Sequence, residues 1–134
     1  MSLKNLEKDL INLANSINNG KDSKAFLNKS GNKLKTKTVS IAKSRVKEKT
    51  GNYIKSIKKG KVYEFGGNLA VRTFSTAPHA HLIEYGHIIK SKDGKEHGFK
   101  RGYDVFGTAE REFEKEFYDD TEKFVDEILM KNGF

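Results

Sequence analysis

Apolar residues recur along the start of the chain at spacings of three and four: Leu3, Leu6, Leu10, Ile11, Leu13, Ala14 and Ile17. That period predicts an amphipathic helix over about 2–18. Asn18-Asn19-Gly20 supplies its stop, because Asn and Gly accept the left-handed backbone of a helix end. A second helical stretch, about 23–49, carries Phe26, Leu27, Leu34, Ile41, Ala42 and Val46, with Asp22 or Ser23 as its cap. Leu27, Leu34 and Ile41 are seven apart and share a face. Gly31 and the β-branched Thr36, Thr38 and Val39 work against helix here, so one long helix or two shorter ones both fit. Thr50-Gly51-Asn52 ends the stretch.

The pattern then shortens. Val62, Tyr63 and Phe65, followed by Leu69, Ala70, Val71, Thr73 and Phe74, are strand formers on either side of Gly66-Gly67-Asn68. They predict a hairpin over about 53–75, which Pro78 closes. Residues 79–85 predict a short helical turn, and His87-Ile88-Ile89 a short strand. Residues 90–104 are polar and hold Gly94, Gly98 and Gly102, which predicts a long mobile loop. A final helix over about 108–131 rests on Phe113, Phe117, Phe124 and Ile128, widened by Val125 and Leu129. Thr108 is its expected N-cap. Glu110, Glu112 and Glu114 follow near the positive end of the helix dipole, and Gly133 lies past the other end. The order α-α-β-β-(short α)-β-α predicts one α+β domain spanning 1–134. In it a small antiparallel sheet packs against the N-terminal helices and a long C-terminal helix.

Composition narrows the picture. The 134 residues are 35% hydrophobic and 33% charged, with nine Phe and five Tyr as the bulk available for a core. No apolar run approaches the roughly 18 residues of a membrane span. The N-terminus shows neither an apolar h-region nor a small-residue cleavage site, so no secretory signal is expected. Zero Cys excludes disulfides, thiolate metal sites and cysteine nucleophiles.

The formal net charge of +8 is unevenly spread. Residues 21–61 hold fourteen Lys/Arg against only Asp22 and Glu48. Residues 108–134 hold Arg111, Lys115, Lys123 and Lys131 against nine acids. Such asymmetry points to nucleic acid, to an acidic protein partner, or to pairing within the chain itself. Arg45 is the one arginine of the basic segment, which argues against bidentate reading of base edges.

Catalytic signatures are not found. His79, His81 and His87 cluster around Glu84, but Gly86 interrupts any helix between them, and the spacing is not that of helical zinc hydrolases. The plainer expectation is a His81–Glu84 hydrogen bond inside the turn. Neither a Gly-x-Ser-x-Gly elbow nor a glycine-rich phosphate loop is present. No enzyme, metal or cofactor is expected.

Two local patterns carry more. One is Thr50-Gly51-Asn52-Tyr53-Ile54-Lys55-Ser56-Ile57, after a basic helix ending Ala42-Lys43-Ser44-Arg45-Val46-Lys47. The other is Ala77-Pro78-His79-Ala80-His81-Leu82-Ile83-Glu84-Tyr85-Gly86-His87, with Phe106-Gly107-Thr108-Ala109 opening the last helix. Over roughly residues 35–131 this order resembles the tail-component family of lambdoid siphophages and prophages, whose members complete the tail or join it to the head at the neck. Tyr53-Ile54, His79 and Gly107-Thr108 depart from the family's usual Leu, Tyr and Pro.

The resemblance implies scaffold roles for Thr50, Gly51, Ser56, Ile57, Ala80, His81, Glu84, Tyr85 and Gly86. Gly51 can end a helix with positive φ, and Gly86 can let the chain reverse. Glu84, once partly buried, needs donors from backbone amides or from His81. The partner surface is expected on Lys55, Lys58, Lys59, Lys61, Lys90, Lys92, Lys95, Lys100 and Arg101. The resemblance further implies a virion protein at the neck or tail top, assembled in the host cytoplasm. Its partners would be other neck and tail proteins, in a homo-oligomeric ring built by head-to-tail contacts. The competing reading is a basic, non-specific nucleic-acid-binding protein, for which weak DNA contact of the same face would suffice. A toxin or regulator of mobile elements fits poorly, without catalytic residues or a helix-turn-helix pattern.

Overall fold

The structure is a computed structural model, and it describes residues 20–47, 51–66, 68–131 and 133. The helix expected over 2–18 lies outside the described residues. Helix α1 (Lys21–Arg45) is continuous. Its unfavourable residues are accommodated locally. The hydroxyls of Thr36 and Thr38 donate to the carbonyls of Asn32 and Leu34, one turn back, at 3.0 and 2.8 Å. Gly31 is buried where a Cβ would lie 2.8 Å from Cδ of Lys59 and 3.1 Å from Cγ2 of Val71. Its lack of a side chain therefore lets the following hairpin lie close against the helix.

The helix stops at Arg45, earlier than 49. Val46 turns extended, with its N–H donating to the Ala42 carbonyl at 2.8 Å. Gly51 does adopt positive φ (+71°), but it opens the one-turn helix α2 (Asn52–Lys55) and does not end α1.

Strands β1 (Ile57–Lys59), β2 (Tyr63–Phe65), β3 (Asn68–Ala70) and β4 (Thr73–Ser75) form one interrupted antiparallel hairpin. β2 pairs β3 with Tyr63 opposite Ala70, and β1 pairs β4 with Ile57 opposite Ser75. Between the ladders, Gly60 N–H donates to the Arg72 carbonyl at 2.9 Å. The first residues of the expected hairpin are helical because Tyr53 turns into the core (3% exposed) and the Ser56 amide bonds back to Asn52 at 3.0 Å.

Helix α3 (Ala80–Tyr85) leads directly into strand β5 (Gly86–Lys90). The segment read as a mobile loop, 90–104, holds strand β6 (Glu96–Arg101), paired with β5 through His87 opposite Lys100 and Ile88 opposite Phe99. The turn between them is tied. Ser91 N–H donates to the Lys95 carbonyl at 3.0 Å, Lys95 N–H donates to Oδ1 of Asp93 at 3.0 Å, and Gly94 sits at φ +84°. Asp93-Gly94 is a hairpin turn signal that the segment's polarity obscured.

Helix α4 (Val105–Lys131) begins three residues before the expected cap. It runs antiparallel to α1, since Asp22 meets Lys131, Lys33 meets Asp120 and Arg45 meets Thr108. The ring of Phe26 stacks on Phe124 (centroids 4.4 Å, 6° between planes) and on Phe117 (6.0 Å, 26°). Ile41, Ala42, Val46, Tyr53, Ile57, Val105 and Ala109 form a buried cluster where α1, α2, β1 and α4 converge. The architecture is α+β: two long antiparallel helices, with small antiparallel ladders packed at one side and one end.

Candidate functional site

The second sequence pattern folds around a junction. The α3 carbonyls of Ile83 and Glu84 accept from the amides of Tyr103 (2.8 Å) and Asp104 (3.1 Å), drawing the returning β6 strand back onto α3. The half-buried Glu84 side chain then reaches forward. Its Oε1 accepts from the Phe106 N–H at 2.9 Å and its Oε2 from the Gly107 N–H at 3.0 Å. Two of the amides that an α-helix leaves unpaired at its start are thus met by a carboxylate 22 and 23 residues earlier in sequence, at the positive end of the helix dipole. Gly102 and Gly86 make this approach feasible. A Cβ on Gly102 would collide with the Glu84 carbonyl. One on Gly86, at φ +96°, would collide with the Lys100 carbonyl and lie 2.8 Å from the Gly102 nitrogen.

Thr108 is therefore not the cap. It is buried, and its Oγ1 accepts from Nη1 of Arg45 at 2.8 Å and Nη2 of Arg111 at 3.2 Å. The same Nη1 of Arg45 donates to the carbonyls of Tyr103 (3.1 Å) and Asp104 (3.4 Å). Arg111 also pairs with Asp104 at 2.6 Å, and this hydrogen bond holds the Asp104 carboxyl below its ordinary range. In the sequence Arg45 stands out as the basic segment's one arginine and as part of the helix end that precedes the first pattern. Its latch joins residues 58 to 63 positions apart, and no local spacing signals it.

The other motif residues separate. Ser56 and Ile57 are buried, and Ser56 Oγ lies 2.6 Å from Ser75 Oγ, joining β1 to β4. Ala80 packs against the core cluster. His81 and Tyr85 are exposed, Tyr85 at 77%. The expected His81–Glu84 bond is replaced by backbone amides, which come from a segment the local pattern does not include. Thr50 lies outside the described residues. Among the described residues, no group of three His, Asp or Glu side chains is placed to hold a metal ion.

The nine candidate surface cations fall in two groups. Lys55, Lys58 and Lys61 are exposed along α2 and the first hairpin. Lys59 is used internally: its Nζ donates to Oδ1 of Asn28 at 3.0 Å. Lys90, Lys92, Lys95, Lys100 and Arg101 are all exposed on the β5–β6 hairpin, with Lys100 lying over the Tyr103 ring at 5.4 Å. Between them stand large apolar side chains in the open: Ile88 at 50%, Ile89 at 41% and Phe99 at 62% exposure.

Part of the basic α1 charge is spent within the chain. Lys33 bridges Asp120 (2.6 Å) and Glu116 (3.7 Å), Lys37 pairs with Glu112 (3.3 Å), and the hydrogen bond that Lys33 donates to Asp120 raises its pKa. Pairing between the chain's own basic and acidic segments is thus one real source of the asymmetry.

Comparison with known families decides the lineage. Residues 4–86 match the family model described as "Bacteriophage HK97-gp10, putative tail-component". The chain belongs to this family. The family is described as one of bacteriophage tail components. The matched span includes both sequence patterns up to Gly86. It starts earlier than the resemblance over 35–131 and ends before β6 and α4. No match is found among curated proteins or among solved structures. Among the described residues, no helix is long and apolar enough to cross a membrane.

Proposed function

We propose that this tail component completes the tail or joins it to the head, acting as a non-enzymatic docking subunit in the neck of a siphophage or prophage particle. One observation carries the reading beyond the family: the β5–β6 hairpin presents Ile88, Ile89 and Phe99 to solvent, interleaved with Lys90, Lys100 and Arg101. Exposed aliphatic and aromatic residues among cations suit a protein partner that is apolar with an acidic rim. A surface made only for phosphates has no use for exposed isoleucines. The Glu84 junction ties the hairpin's base to the start of α4, and electrostatic complementarity orients the encounter. The partners in this reading are other neck and tail proteins and further copies of the chain. It is assembled in the host cytoplasm and resides at the neck.

Immunogold labelling of particles from an induced lysate tests the proposal. Gold confined to the head–tail junction or the tail top is the expected result. Intact particles without label sink it. DNA binding is the alternative reading, supported by Lys24, Lys29 and Lys43, which are exposed on α1 and make no ion pair with a described residue. Measurable affinity that falls steeply with salt above physiological strength would favour that reading.

A further inference from the structure

On the flank of the two long helices lies an open cavity of about 550 Å³. Leu27 and Leu34 of α1, Leu69 and Val71 of the first hairpin, and Phe113 and Phe117 of α4 line its apolar floor. Glu110 and Glu114 stand on its rim, exposed and without an ion pair to a described residue. Arg111 also borders it, but its charge is met by Asp104.

The β5–β6 hairpin has the inverse character. Ile88 and Phe99 are opposite one another in register and so project from one face of the ladder. Gly86 and Arg101 are the next opposed pair on that face; past Ile88 the register shifts, and Lys90 stands opposite Glu96. The hairpin therefore offers an apolar pair with Arg101 on one side and, beyond the register shift, Lys90 on the other, and the groove an apolar floor beside two carboxylates.

We infer that the hairpin of one copy seats Ile88 and Phe99 in the α1–α4 groove of a second copy, with Lys90 and Arg101 against Glu110 and Glu114. The inference deepens the proposed docking function and rests on it. Its partner is a second copy because the chain's own rim charges complement the hairpin's. The N-terminal residues 1–19 are apolar enough to be rivals, but their two lysines are balanced by Glu7 and Asp9, so they offer the acidic rim no net charge. Hairpin and groove are different surfaces, so the contact is heterologous: each copy donates one and accepts one. Such contacts propagate, and they close into a ring when the rotation between copies divides a full turn.

Two variants of the full chain test it, Phe99→Asp on the hairpin and the pair Glu110→Lys with Glu114→Lys on the groove. All three positions are exposed, so the fold is expected to survive, checked by unchanged circular dichroism. Sedimentation velocity is expected to show concentration-dependent oligomers for the unaltered chain and at least about tenfold weaker association for each variant. Mixing the two variants leaves one intact hairpin and one intact groove, and is expected to give dimers and nothing larger. Adding Lys90→Glu and Arg101→Glu to the groove variant is expected to restore self-association.

An unaltered chain that stays monomeric at high concentration overturns the inference, and so does association that survives both variants. The chain has no cysteine, so a disulfide forming within one molecule between Leu6→Cys and Glu114→Cys would report the N-terminal stretch in the groove, and would also overturn it. Loss of infectious particles with Phe99→Asp, while self-association is absent or unaltered, sinks this contact and leaves the neck reading standing. Normal particles from a strain lacking the protein sink the neck reading itself.

Discussion

Glu84 and Phe106 are 22 residues apart in sequence, yet the carboxylate of the first accepts the backbone N–H of the second at 2.9 Å, with Gly107 N–H on the other oxygen at 3.0 Å. The last long helix is thereby capped from the end of α3. Replacing Glu84 by Ala leaves two amides of a half-buried helix start without acceptors. The expected cost is about 1–3 kcal/mol, or a thermal midpoint lower by roughly 5–10 °C. Glu84→Gln keeps one carbonyl acceptor but loses the charge, and is expected to fall between. Thermal unfolding followed by circular dichroism reads this directly, and equal midpoints for Glu84→Ala and the unaltered chain would contradict it.

Gly86 follows one residue after α3's Tyr85 and carries a sharper constraint. Its φ of +96° is unfavourable for any side chain, and a Cβ there meets backbone atoms of residues 100 and 102, which cannot swing aside. Gly86→Ala is expected to destabilise by more than about 3 kcal/mol. Gly94→Ala is the control. Its φ is +84° but open space surrounds it, so only the conformational cost of about 1–2 kcal/mol applies. Urea unfolding of the two variants separates clash from backbone strain. Equal losses would show that the close approach at Gly86 is not tight.

These two positions show what was legible in the sequence. The Phe stripe of α4 and the apolar positions of α1 follow the helical period, so both helices could be placed from the residues alone. Their mutual packing through Phe26 could not, since period fixes a face and not its partner. The family resemblance marked Glu84 as a scaffold residue that needs donors once partly buried. The donors lie beyond a hairpin whose own existence was obscured, because 90–104 is polar and its Asp93-Gly94 turn was read only as composition. Capping was sought in the neighbouring Thr108, whereas Glu84 of α3 supplies it from across the β5–β6 hairpin. The charge asymmetry was visible as a sum, but which lysines meet which acids depended on the antiparallel packing of α1 on α4. Of the proposed docking surface, the hairpin lysines were named as candidates from the sequence. The exposed Ile88 and Phe99 between them were not, since strand-forming residues are ordinarily expected to face a core.

Arg45 ties the end of α1 to the entrance of α4 through three oxygens, those of Tyr103, Asp104 and Thr108. Arg45→Met keeps most of the aliphatic stem and removes the donors. The expected loss is about 0.5–1.5 kcal/mol, modest because the side chain is exposed. The distinguishing readout is local: amide hydrogen exchange at residues 106–109 is expected to quicken more than exchange in the middle of α1. A uniform change across both helices would mean that Arg45 contributes only to global stability.

Asp104 sets the acid limb of the junction. It stands at φ +47° just before α4, and the hydrogen bond from Arg111 holds its carboxyl below the ordinary value. A carboxyl whose pKa is lower in the folded chain than in the unfolded one contributes stability above the unfolded value. That contribution is lost as pH falls through the depressed value. Stability is therefore expected to decline from about pH 4 downward as the pair with Arg111 is protonated apart. The share is small, because Asp104 and Arg111 are half and two-thirds exposed, and salt screens it. Asp104→Asn isolates the charge, since Asn tolerates the left-handed backbone at least as well. That variant is expected to be slightly less stable than the unaltered chain at neutral pH and to converge with it in acid. A gap that stays constant from pH 7 to pH 2 would show that the charge on Asp104 contributes nothing and that the difference lies in shape alone.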